Sequence, residues 1–173
     1  MKQEQTLKKQ VWIAIESEQD YEGAEPAQVS MVCSGTLYQR KGIYYISYEE
    51  SELTGLEDTR TMLKIQPEQV TMIRSGKYPS QMLFIENQRH VGLYQTGYGT
   101  LEIAIHTAKI ENKIDENGGF LSLEYTIELD HHVAGYNRFS IELKNKEEDT
   151  VQVQEEKDHE FDRTSETTGE ADY

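Results

Sequence analysis

The sharpest irregularity in this sequence is a charge on an otherwise apolar strand face, at Arg74. Arg74 follows Val70 and Met72 in the two-residue step of a β-strand, whereas Thr71 and Ile73 take the opposite face. We therefore predict that Arg74 points inward with its two apolar neighbours. An inward guanidinium can clamp a ligand carboxylate, form an internal ion pair, or lie at a rim where its head reaches water.

Glu50 is the predicted partner of Arg74 if the charge is paired inside the protein. The face made by Tyr44, Ile46 and Tyr48 is more apolar than the opposite face of the same segment. Glu50 comes two residues later and is therefore predicted at the inner end of this strand. The sequence leaves the ligand clamp and the internal ion pair open as alternatives.

Tyrosine is unusually abundant, with 11 copies in 173 residues. Its apolar ring and hydroxyl suit a cavity for a partly polar ligand, and they equally suit a strand surface or a barrel mouth. We select Tyr48, Tyr94 and Tyr125, together with Arg74 and Glu50, as the candidate ligand-binding residues.

Catalytic and metal-binding motifs are not found in the sequence. Cys33 is in step with Met31 and Leu37 and has no adjacent base, so we interpret it as a buried small apolar residue. His131 and His132 are neighbours that would point opposite ways on an extended chain, which does not suit a shared metal ion. We expect no enzymatic activity, no cofactor and no metal site.

The elements that must position these residues are strands. Apolar and polar residues alternate through most of the chain, with turn signals about every 8–12 residues. The clearest case is 121–129, where every odd position is apolar or aromatic and every even position is polar. Strands are predicted at 10–18, 29–39, 43–50, 60–66, 69–75, 81–87, 90–96, 101–106, 121–129 and 139–144.

About ten short strands, each with one solvent-exposed face, are compatible with two folds, a closed barrel or a two-sheet sandwich. Hairpin-length turns favour the barrel, and so do Gly35 and Gly92, because glycine inside a strand permits the bends that closure requires. We predict an all-β fold, a single antiparallel up-and-down barrel over residues 1–146, followed by a disordered acidic tail over 147–173.

Charge and composition exclude several classes of partner. The chain has 32 acidic and 17 basic residues, which disfavours nucleic acid and anionic membranes. A single cysteine and the lack of a long apolar run predict a cytoplasmic location, with no signal peptide and no membrane helix.

Residues 147–173 hold 11 acidic and two basic residues. Such a tail is an interaction arm, a solubility device or a solvated terminus without a partner.

Five segments match a known pattern: GIYYISYEES at 42–51, VTMIRSG at 70–76, SQMLF at 80–84, YQTGYGTLEI at 94–103 and GFLSLEY at 119–125. In this order, from about Val11 to Leu143, the chain resembles the YwiB-like family of bacterial proteins. The resemblance implies a cytoplasmic, calycin-like (lipocalin-like) barrel without an assigned function, and no ligand residues carry over from it.

Together, the residues and the resemblance lead to one functional hypothesis and one alternative. We predict non-catalytic binding of a small, partly apolar or carboxylate-bearing molecule in the barrel interior. The alternative is a protein-interaction module whose barrel core is filled.

Overall fold

Ten antiparallel strands close into one barrel in the computed structural model, which describes residues 7–96, 98–129 and 131–146. Each strand pairs with its neighbours in sequence, and β1 pairs with β10 to close the barrel. The strands are β1 (Leu7–Tyr21), β2 (Ala27–Arg40), β3 (Ile43–Glu49), β4 (Thr59–Ile65), β5 (Gln69–Gly76), β6 (Ser80–Ile85), β7 (Arg89–Thr96), β8 (Gly99–Asp115), β9 (Gly118–Leu129) and β10 (His132–Asn145). The prediction of an all-β, up-and-down barrel is confirmed.

The inward-facing side chains of the ten strands pack together in one hydrophobic core. Burying an aliphatic side chain contributes roughly 1.5–3 kcal/mol, so this shared core is the main stabilising feature of the barrel. The largest side chains that are almost wholly buried are Val11, Ile13, Leu37, Ile46, Leu63, Ile65, Met72, Phe84, Ile105, Leu121, Leu123 and Ile141.

Several strands extend beyond their predicted limits, and in β8 and β10 the additional length includes a β-bulge. β8 continues past residue 106, because the register shifts between Thr107 and Lys109 and the alternation changes phase there. β10 begins at His132, ahead of the predicted 139, with a register shift between Val133 and Gly135. The prediction was wrong about β8 because a single bulge reverses which side chains face the core. It was wrong about β10 because the buried positions ahead of Phe139 are Gly135 and Asn137, which are not apolar side chains.

The strand glycines allow neighbouring strands to approach closely. A Cβ atom at Gly35 would overlap Ile13 Cδ1 and would lie 2.6 Å from the Ser47 carbonyl oxygen. At Gly92 it would lie 2.8 Å from the Gln81 carbonyl oxygen. Glycine is therefore required at these two positions by space rather than by an unusual φ angle.

The two ends of the barrel differ. One end carries the connections 22–26, 50–58 and 77–79, and we call it the Arg74 end because Arg74 lies just inside it. The opposite end carries the tight turns 41–42, 66–68, 86–88 and 116–117. The predicted acidic tail, 147–173, lies outside the described residues. Within the described ranges, the structure has no helix long and apolar enough to cross a membrane.

Candidate functional site

Arg74 lies inside the barrel, between Thr61 of β4 and Ser80 of β6 in the strand register. Its side chain is 14% exposed, and the side chain of Glu50 is 2% exposed. Arg74 Nε is 3.9 Å from Glu50 Oε1, so the two charges face each other across the interior. The predicted inward orientation of both residues is confirmed.

The carboxylate of Glu50 is satisfied by two threonine hydroxyls. Thr61 Oγ1 donates a hydrogen bond to Oε1 over 2.5 Å, and Thr54 Oγ1 donates one to Oε2 over 2.8 Å. The 3.9 Å separation from Arg74 is too long for a hydrogen bond. Arg74 Nε is buried and finds no hydrogen-bond acceptor in the part of the chain that the structure describes.

A short 3₁₀ turn, Glu52–Thr54, brings Thr54 to Glu50. Ser51 begins the turn, and its side-chain oxygen accepts a hydrogen bond from Leu53 N over 3.2 Å. Gly55 ends it with a left-handed φ of 71°, a conformation that favours glycine. The local sequence therefore fixes one of the two donors that hold the carboxylate.

Tyr48 and Tyr125 are buried beside this pair and stay protonated at neutral pH. Burial, followed by the negative charge of Glu50, raises the pKa of Tyr48 above its ordinary value. Burial also raises the pKa of Tyr125 to about 12, against the opposing effect of the Arg74 charge. The ring of Tyr125 packs edge-on against Phe84, with centroids 4.8 Å apart.

Tyr94 joins the same end of the barrel, since it pairs with Ser80 in the register and is partly buried. Tyr21 is a further member, and its hydroxyl donates a hydrogen bond to Asn137 Oδ1 over 3.0 Å. Burial raises the pKa of Tyr21 as well. The structure thus brings all five predicted residues to one end of the barrel.

Tyr21 and Asn137 were not predicted as site residues, although a signal for each was present. Tyr21 continues the inward series of β1, and Asn137 is in step with the buried Phe139 of β10. Both were missed because the predicted strands stopped short of them.

Three buried polar groups at this end have no hydrogen-bond partner among the described residues: Arg74 Nε, Ser80 Oγ and Asn137 Nδ2. Ser80 neighbours Arg74 across β5 and β6, and Asn137 neighbours Tyr125 across β9 and β10. Buried donors are almost always satisfied in native proteins. The arrangement therefore calls for an acceptor-rich group, supplied by water or by a ligand.

A cavity of about 70 Å³ adjoins this cluster. A single water needs about 10–15 Å³ of accessible volume, so the cavity has room for several waters or for one carboxylate-sized group. The cavity is lined by Tyr48, Glu50 and Arg74, by the polar Ser17, Gln19 and Thr54, and by the apolar Ile15, Val29, Leu56 and Phe139.

Cys33 packs against the core but is half-buried rather than fully buried as predicted. Burial, and secondarily the charge of Glu50, raises the pKa of its thiol, which disfavours the reactive thiolate.

His131 occupies a turn with a positive φ of 67°, and His132 begins β10. In the described ranges no three His, Cys, Asp or Glu side chains are grouped to hold a metal ion.

Comparison with known proteins identifies relatives that share this barrel. A family model described as "Domain of unknown function (DUF1934)" matches residues 13–141. The "Uncharacterized beta-barrel protein YwiB" of Bacillus subtilis (strain 168) is 28% identical over 129 residues, which are 75% of this chain and 86% of the relative. The crystal structure of ywiB protein from Bacillus subtilis has a TM-score of 0.71 at 20% identity, covering 80% of this chain and 92% of that one.

Proposed function

The chain belongs to the DUF1934 family of unknown function, and we propose that it is a non-catalytic binding protein for a small molecule with an acidic group. The acidic group enters the barrel at the Arg74 end, and a partly apolar remainder lies toward the rim. One observation carries the proposal: a buried guanidinium faces a cavity, and its Nε has no acceptor in the described part of the chain.

The surroundings of Arg74 favour an oxygen-bearing ligand. Glu50 balances the charge of the arginine, but its carboxylate is hydrogen-bonded by Thr54 and Thr61 and does not accept from Arg74 Nε. Ser80 Oγ, next to Arg74, is a second buried group that has no hydrogen-bond partner within the described ranges. A carboxylate accepts several charge-assisted hydrogen bonds and so matches this donor set.

The size of the cavity limits how much of the ligand is enclosed. Pockets for drug-sized molecules usually measure about 300–1,000 Å³, whereas this cavity has about 70 Å³. A carboxylate head fits inside, and the rest of the molecule must extend past Leu56 at the rim. The apolar side chains of Ile15, Val29 and Phe139 line the same space and suit a short hydrocarbon portion.

A protein-interaction module is the second candidate, because most of the barrel interior is filled by the core. The outer surface also exposes several large apolar side chains, which marks protein contacts in many proteins. Val91 and Leu93 of β7 are exposed, and so is Val133 of β10. A partner protein would bind such a surface without entering the barrel.

The proposed setting is the cytoplasm, and the proposed activity does not involve covalent chemistry. Cys33 is the single cysteine, which suits a reducing compartment. The raised pKa of its thiol argues against a nucleophilic role.

Native mass spectrometry of the full chain, purified from a bacterial cytoplasm, tests the proposal. We expect a retained small molecule on the wild type and its loss from Arg74→Met. Arg60→Met is the matched control, because Arg60 pairs with Glu49 outside the barrel and should not affect retention. A mass retained equally by all three proteins would contradict the proposed role of Arg74, and partner proteins in place of a small molecule would favour the second candidate.

A further inference from the structure

A basic and aromatic groove of about 440 Å³ lies on the outer face of β1–β4, away from the interior cavity. Its centre is the cross-strand pair Tyr38 and Tyr45, whose ring centroids are 5.5 Å apart. In the register, Lys8 is opposite Tyr38 on one side of this pair, and Lys64 is opposite Tyr45 on the other side. Two lysines therefore flank two tyrosines in a single row across four strands.

Positive charge is concentrated around this row, although the whole chain carries a net charge of −15. Lys8 and Arg40 line the groove, and Lys41 lies in the adjoining turn between β2 and β3. None of the ion pairs among the described residues involves these three or Lys64. Among the described residues, the charges of this cationic groove thus take part in no ion pair.

The last strand of the barrel ends beside this groove and runs toward it. Asn145 of β10 is opposite Val11 of β1, and the Lys146 ammonium lies 4.3 Å from the Trp12 ring centroid. Because β10 is antiparallel to β1, the described end of the strand at Asn145 and Lys146 points toward Lys8. Lys8 is three residues from Val11, or about 10 Å along an extended strand.

We propose that the acidic segment 147–173 of the same chain binds in this groove. The segment holds 11 acidic and two basic residues, so its charge is opposite to that of the groove, beside which β10 ends. An extended chain spans about 3.3 Å per residue, so a few residues bridge the gap and most of the 27 remain to contact the groove. The tether raises the effective concentration to about the millimolar range, which compensates for weak surface ion pairing.

Paramagnetic relaxation in the full chain tests this contact. A spin label at Ser165→Cys, in a Cys33→Ala background, should broaden the backbone amide signals of the row formed by Lys8, Tyr38, Tyr45 and Lys64. We expect a loss of intensity of at least about twofold at low salt that is reversed at about 0.5 M NaCl, where charges are screened within a few Å.

Charge reversal provides the matched variants. Lys8→Glu with Lys64→Glu should abolish the broadening. Lys109→Glu with Lys113→Glu, on β8 at the opposite side of the barrel, should leave it unchanged. Broadening that persists in the first variant, or that is lost equally in both, would contradict a specific contact at the groove.

The identity of the occupant is tested by mixing isotopically labelled chains without a spin label with spin-labelled chains. If the amide signals of the groove broaden in this mixture as strongly as in the doubly labelled chain, a second copy supplies the segment. That result would overturn the proposal. Even broadening over the whole barrel, or none at the groove, would also overturn it.

Discussion

Arg74 and Glu50 face each other inside the barrel, with 3.9 Å between Nε and Oε1, whereas one residue earlier Glu49 contacts Arg60 over 2.6 Å outside it. The buried pair is thus the looser of the two. A buried charge usually requires close, hydrogen-bonded partners. Because the inner pair is loose, Arg74 Nε has no acceptor among the described residues. The outer pair is a control that the chain itself supplies.

This arrangement predicts an asymmetry between the two inner residues in the empty protein. Glu50→Gln leaves the buried guanidinium without its counter-charge and should lower the free energy of unfolding by about 3–5 kcal/mol. Arg74→Met removes an unsatisfied buried donor and leaves Glu50 bonded to Thr54 and Thr61, so it should cost no more than about 1.5 kcal/mol. Denaturant unfolding of both variants measures the difference.

The outer pair is the control for these measurements. Arg60 and Glu49 have side chains that are 63% exposed, so Arg60→Met or Glu49→Gln should change stability by no more than about 1 kcal/mol. A loss of about 3–5 kcal/mol in Arg74→Met, partly recovered by adding Glu50→Gln, would show that Arg74 is a structural partner rather than a ligand clamp.

The faces of β9 can be tested with two neighbouring residues. Leu123 is fully buried, so Leu123→Ala should cost about 2–5 kcal/mol through lost burial and a residual cavity. Glu124 points outward, 4.0 Å from Arg138, and Glu124→Ala should change stability by less than about 0.5 kcal/mol. Similar losses at both positions would mean that the faces are wrongly assigned.

Gly35 tests the close approach of β1, β2 and β3. Gly35→Ala would place its Cβ 2.6 Å from the Ser47 carbonyl oxygen, a backbone atom that does not move easily, so we expect a loss of about 1–3 kcal/mol. Ser34→Ala is the matched control on the exposed face of β2. Thermal unfolding compares them, and equal melting temperatures would contradict the close approach.

The free energy of unfolding should fall at alkaline pH because Tyr125 ionises at a higher pH in the folded chain than in the unfolded chain. Below pH 10 folded and unfolded chains both keep the phenol proton; between pH 10 and about 12 the unfolded chain loses it first. Unfolding then releases a proton, and its free energy falls by up to about 1.4 kcal/mol per pH unit. Tyr125→Phe should show a shallower decline in denaturant titrations across this window, and an unchanged slope would contradict the assignment.

The sequence predicts the barrel and the inner position of Arg74 well because both follow from the two-residue period of a strand with one buried face. It misses Tyr21 and Asn137, which lie where strands extend beyond their clearest alternation. The bulge after Thr107 is also missed, since one extra residue reverses the pattern locally.

The interior volume and the 3.9 Å gap at Arg74 are not accessible from sequence at all. Both depend on how side chains from all ten strands fill the space together. The five residues selected from the sequence meet at one end of the barrel, but their donors and acceptors could be assigned only from the folded geometry.

Nuclear magnetic resonance of the Arg74 Nε–H group tests the ligand proposal most directly. Titration of the full chain with butyrate up to about 50 mM should shift this signal with saturation, because a fragment of a few heavy atoms binds in the millimolar range. Butanol at the same concentrations should not shift this signal. Butyrate should also produce no saturable shift of the Nε–H signal of Arg60. An Arg74 signal that butyrate leaves unchanged, or that follows the Arg60 signal, would contradict the account.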